Sequence, residues 1–131
     1  MITLGSRAFG GPYLLPLWSA PRHGGLYAVM VPGWRLLTFR ALHFGEAESF
    51  SMETIKASSR YPEWASVAGT DWNLYVATLE LPLATRAERE AALREIVRAY
   101  RPGYSAPVPN PELPGLRTML LARALRGDPQ E

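Results

Sequence analysis

Apolar and polar positions along this chain switch between a period of two and a period of about three and a half, and the switches mark its elements. Leu26 to Val31 is a run of β-formers whose only hydroxyl is Tyr27, which predicts a strand. "VPGW" supplies Pro-Gly turn chemistry, and Trp34 to Phe44 is apolar on both faces, so the two runs predict a hairpin at the heart of a sheet. Ser51 is placed to cap a helix carrying Met52, Ile55 and Ser59 on one face. Pro62 suits the first turn of a second short helix, which Gly69 would end. Trp72 to Leu81 alternates as a third strand.

The clearest helix follows. Thr85 and Glu88 have the spacing of a capping box, in which hydroxyl and carboxylate each satisfy a free backbone N–H. Leu93, Ile96, Val97 and Tyr100 then recur at helical spacing, and "RPG" at Arg101 ends the run. Glu90 stands at i,i+4 spacing from both Arg86 and Arg94, the geometry of surface ion pairs. Before these elements, "MITLG" reads as a short edge strand and "GGPYLLPLWSAPRHGG" as an approach too broken for a long helix. After them, Leu116, Met119 and Leu120 inward with Arg117, Arg123 and Arg126 outward predict a last helix over 111–127. The order β-β-α-α-β-α-α suggests a single α+β domain over 1–131 with a small mixed or antiparallel sheet, residues 1–23 being an N-terminal extension.

Composition narrows the chemistry. The chain has no cysteine, which removes disulfides, thiolate catalysis, iron–sulfur clusters and cysteine-held zinc. Two histidines leave little room for a histidine-based metal site. No apolar stretch approaches the ~20 residues of a membrane span, and the start lacks a secretory layout, so a soluble cytoplasmic protein without a membrane partner is expected. Net charge is only +2, yet no acidic residue precedes Glu46, while Arg7, Arg22, Arg35 and Arg40 do. Basic charge is almost all arginine, with Lys56 the only lysine. Arginine grips phosphate with a planar fork, so Arg22, Arg35 and Arg40 are candidate nucleic-acid contacts; a compositional bias toward arginine is the plainer reading. Trp18, Trp34, Trp64 and Trp72 could stack bases, but the expectation for such residues in a small domain is the core.

With these elements in order, "GLY" at Gly25–Tyr27 and "HFG" at His43–Gly45 resemble the paired "GIY" and "YIG" strands of the GIY-YIG nuclease superfamily. "GEAESFSMETIKASSRYPEW" then looks like the family's turn into its first helix, and the long helix closing at Pro102 like its last, over roughly residues 24–105. The resemblance implies a small domain with a central three-stranded, mostly antiparallel sheet flanked by helices. It also implies divalent-metal-dependent cleavage of phosphodiester bonds, with Mg2+ or Mn2+ as cofactor.

Carried over position by position, Tyr27 stands for the tyrosine that assists the attacking water, and His43 replaces the second tyrosine. The position of the phosphate-neutralising arginine falls on Glu53, leaving Lys56 and Arg60 as nearby cations. The position of the metal-binding glutamate falls on Leu93, with Glu90 one turn away as the remaining candidate ligand. The closing asparagine reads as Ser105. The expectation is a nuclease-like domain with a degenerate site, serving as a nucleic-acid-associated binding or regulatory module. An active metal-dependent endonuclease and a protein-interaction or homodimeric domain are the alternatives.

Overall fold

The computed structural model describes residues 1–101 and 104–108; the helix expected over 111–127 lies outside the described residues, as do Pro102 and Gly103. Six strands form one sheet: β1 (Ile2–Leu4), β2 (Arg7–Leu14), β3 (Gly25–Pro32), β4 (Thr38–Ala47), β5 (Tyr75–Glu80) and β6 (Ala106–Pro107). Their order is β1-β2-β5-β3-β4-β6, and every neighbouring pair is antiparallel. The sheet curls until β1 and β6, its two ends, come into contact, which makes a nearly closed barrel. Three helices are described: α1 (Met52–Lys56), α2 (Tyr61–Ala68) and α3 (Arg86–Ala99).

This corrects the expectation of a three-stranded sheet flanked by helices. The strands expected at 26–31, 34–44 and 72–81 occupy the middle of the sheet as β3, β4 and β5, but β1 and β2 extend it on one side and β6 on the other. The expected N-terminal extension is therefore part of the barrel. Its glycines and proline are accommodated by a register shift in β2 between Gly10 and Tyr13, where an irregularity frees the chain from the ladder that proline cannot join. Residues 34–37 turn rather than pair, and 71–73 form a single 3-10 turn, so β4 and β5 each start later than their hydrophobic patterns suggest.

The barrel strands bury side chains on both faces. Leu26, Ala28 and Met30 of β3 join Ile2, Leu4, Phe9, Phe39, Tyr75 and Ile96 in the larger core, which α3 covers. Val29 and Val31 of β3 face the other way, into a second core with Trp18, Phe50, Ile55, Trp64 and Leu74, which α1 and α2 cover. Local chemistry fixes the helix starts. Ser51 Oγ accepts from the Glu53 and Thr54 N–H groups, and Thr85 with Glu88 makes the full capping box at α3. Gly69 ends α2 at φ +87°, a conformation that favours glycine.

Candidate functional site

The side chains singled out on β3 and β4 meet on the face toward α2. β3 and β4 pair residue by residue from Gly25↔Ala47 to Val29↔His43, and the next pair is Met30↔Ala41. Leu42 is the extra residue of a β-bulge. Its effect is specific: Ala41 and Phe44 face the larger core, while Leu42 and His43 both turn to the other side. Bulges re-aim side chains in this way. His43 is thereby set beside Tyr27, with ring centroids 5.9 Å apart, and against the buried Trp64 of α2 at 5.0 Å.

Gly45 completes the arrangement. It pairs with Tyr27 across the ladder, and a Cβ there would lie 2.4 Å from both Cζ and Oη of the tyrosine. The ring of Tyr27 thus rests on bare backbone, a contact that any side chain at position 45 would break. On the open side of β4, a groove of about 340 Å3 runs past Ala41, Leu42, His43 and Phe44, bounded by Val97 of α3 and by Tyr100 just past its end.

Electrostatics limit what this pair can do. Burial pushes the Tyr27 phenol above its ordinary value, and the negative charge of Glu46 pushes it further. Tyr27 stays protonated at neutral pH and is a hydrogen-bond donor or acceptor, not a phenolate base. Burial lowers His43, and the Arg60 guanidinium lowers it further, so the imidazole is neutral. Arg60, at the start of α2, is the positive charge that reaches this face, and it also makes an exposed ion pair with Glu63 at 3.5 Å. Lys56 is exposed at the end of α1 and joins no hydrogen bond or ion pair among the described residues.

The candidate metal ligand does not join them. Glu90 lies on α3, across the sheet, and its Oε2 accepts from Arg86 Nε at 3.1 Å. Arg86 also reaches Glu46 at 3.8 Å, and Glu46 accepts from Arg89 Nε at 3.1 Å. Both members of that last pair are largely buried, with side chains 17 % and 9 % exposed. Arg89 Nη1 further donates to the Ala84 carbonyl at 2.9 Å. Glu46 and Glu90 are thus held by arginines, Leu93 packs against the larger core, and no group of three His, Asp or Glu side chains among the described residues is disposed to hold a cation. The residues present do not fit a divalent ion at the position that the GIY-YIG resemblance implies.

The three candidate nucleic-acid arginines are not brought to one spot. Arg22 precedes β3 at one end of the sheet, whereas Arg35 lies in the turn at its other end, about 26 Å away for an eight-residue strand. Arg40 sits two residues into β4, close to Arg35's end. Comparison with family models, with curated proteins and with solved structures returns no match.

Two features escaped the sequence reading. Arg89 is 8 % exposed although it is an arginine; the available signal was its place on the apolar stripe of α3, three residues before Ala92 and seven before Ile96. Its partner Glu46 had no such signal, since the pairing joins residues 43 apart. The tryptophans also divide. Trp18 and Trp64 are 6 % and 1 % exposed, as expected of core residues, but Trp34 and Trp72 are 67 % and 59 % exposed.

Proposed function

We propose that this protein is a nucleic-acid-associated binding module that does not cleave its ligand. The observation that carries this reading is the pairing of Tyr27 with His43 on one face beside Arg60, with no group of three His, Asp or Glu side chains disposed to hold a cation among the described residues. A neutral imidazole and a protonated phenol can hydrogen-bond to a phosphate or a base, and a guanidinium can pair with phosphate. Hydrolysis needs more: an activated water and stabilisation of the charge that develops on phosphate. Glu90 pairs with Arg86 and Leu93 packs against the larger core, so neither offers a ligand for a metal that would activate the water. Among the described residues no helix is long and apolar enough to cross a membrane. A cytoplasmic setting goes with the reading, since the chain carries no cysteine to oxidise.

Salt dependence tests the reading. Phosphate contacts release counterions, so affinity for an oligonucleotide should fall linearly on a logarithmic salt scale. Arg60→Ala should reduce the slope by about one, with little change in sequence preference. Affinity that does not respond to salt, or no binding at low salt, would contradict the reading.

A further inference from the structure

One rim of the barrel gathers exposed aromatic and aliphatic side chains. β2 leaves the sheet at Leu14, paired with Tyr75, and passes into the 3-10 turn Leu15–Leu17. β3 leaves at Pro32 and turns through 33–37 into β4. β5 enters at Tyr75 from the 3-10 turn Asp71–Asn73. Because β5 runs antiparallel to both β2 and β3, all three connections lie at the same end. They carry Leu17, Trp34, Leu36 and Trp72, exposed by 60 %, 67 %, 37 % and 59 %. Exposed apolar residues scattered singly need no explanation; a cluster on neighbouring connections marks a contact surface.

The backbone beneath these side chains is pinned. Gly33 N–H donates to the Thr38 carbonyl at 2.7 Å, and Thr38 Oγ1 and N–H both donate to the Arg35 carbonyl, at 2.6 and 3.2 Å. Val108 N–H donates to the Leu37 carbonyl at 3.0 Å. On the other connection, Asn73 N–H donates to the Thr70 carbonyl at 3.0 Å and its side chain to the Ala68 carbonyl at 3.2 Å. Trp34 and Trp72 are therefore held out from ordered turns, the condition under which an aromatic platform binds without first being fixed in place.

Charge selects the occupant. Arg35, beside Trp34, is exposed and has no ion-pair partner among the described residues, and Arg40 follows on β4. Against these two arginines the three connections carry a single carboxylate, Asp71. Aromatic faces next to guanidinium groups that join no ion pair among the described residues match a ligand that alternates flat bases with phosphates.

We infer that this rim binds single-stranded nucleic acid, with unpaired bases stacked on Trp34 and Trp72 and phosphates on Arg35 and Arg40. The inference rests on the proposed nucleic-acid reading and adds the strandedness and the residues. It is tested by fluorescence anisotropy with a labelled oligothymidylate of about twelve nucleotides and a duplex of the same length. Wild type, Trp34→Ala and Trp72→Ala are compared, with thermal melts to show that these exposed substitutions leave the fold intact. Single-strand binding should weaken roughly tenfold or more per tryptophan, while the weaker duplex binding changes little. Wild-type binding to nucleic acid that both variants retain in full would overturn the inference and leave the proposed function standing. No binding of wild type to either probe at low salt would overturn both. A dimer in light scattering that Trp34→Ala or Trp72→Ala dissociates would assign the rim to a second copy of the chain and overturn the inference.

Discussion

Glu46→Gln removes the negative charge that faces Arg89 while keeping an oxygen in position to accept from its Nε. At the observed 3.1 Å, two unit charges attract by about 5 kcal/mol for an effective dielectric constant near 20. Part of that gain offsets the desolvation of both groups, so the pair is worth less than its Coulomb energy. Losing one partner is different, because Arg89 is then left 9 % exposed with its charge unmatched. Such losses run to about 3–5 kcal/mol. The surviving bonds from Arg89 to Ala84 and to the new amide place this case just below that range, at about 2–3 kcal/mol. Urea unfolding followed by far-UV circular dichroism should show a lower midpoint at unchanged slope, which separates lost stability from altered compactness. A double-mutant cycle with Arg89→Met should return a coupling above about 1 kcal/mol. A loss below about 0.5 kcal/mol would refute the reasoning, since it is the value of a solvated surface pair. α3 would then dock through Ala92, Ile96 and Leu93 alone.

Gly45→Ala should destabilise the protein by about 1–3 kcal/mol, because the new methyl meets the Tyr27 ring at 2.4 Å. Adding Tyr27→Ser should recover part of that loss in the same unfolding experiment; no recovery would mean that the clash lies elsewhere. His43 predicts a pH dependence whose sign follows from its lowered value. Between that value and about 6.5 the unfolded chain binds more protons than the folded one, so stability falls as pH drops through this window and is unaffected by this group above it. His43→Gln should flatten that limb in thermal melts, and an unchanged profile would show that other groups set it.

Local signals in this sequence reported local structure faithfully, and the failures lie where distant residues decide. The caps at Ser51 and Thr85 were legible because each is a contact between residues two or three apart. The β3–β4 pair was legible from its β-formers, but its bulge was not, since Leu42 and His43 look like any two strand residues until the register is known. β2 was hidden by Gly10, Gly11 and Pro12, which normally break a strand and here lie within its irregular register. β6 is two residues long and exists through its pairing with β4. At the candidate site, Tyr27 and His43 were legible on their paired strands, but the bulge that sets His43 beside Tyr27 was not. Burial misled in both directions: Val97, on the expected inner face of α3, is 53 % exposed, while Arg89 is buried.

Binding and cutting are both read from one gel. Supercoiled plasmid is incubated with the protein in Mg2+ or Mn2+ at low salt, and samples are run with and without removal of protein before loading. Binding without cleavage gives retarded migration with the protein present and intact supercoiled plasmid after its removal, in either metal. Nicked or linear plasmid that disappears with EDTA and with Tyr27→Phe would contradict it, and would mean that a cation is held by residues that here engage arginines.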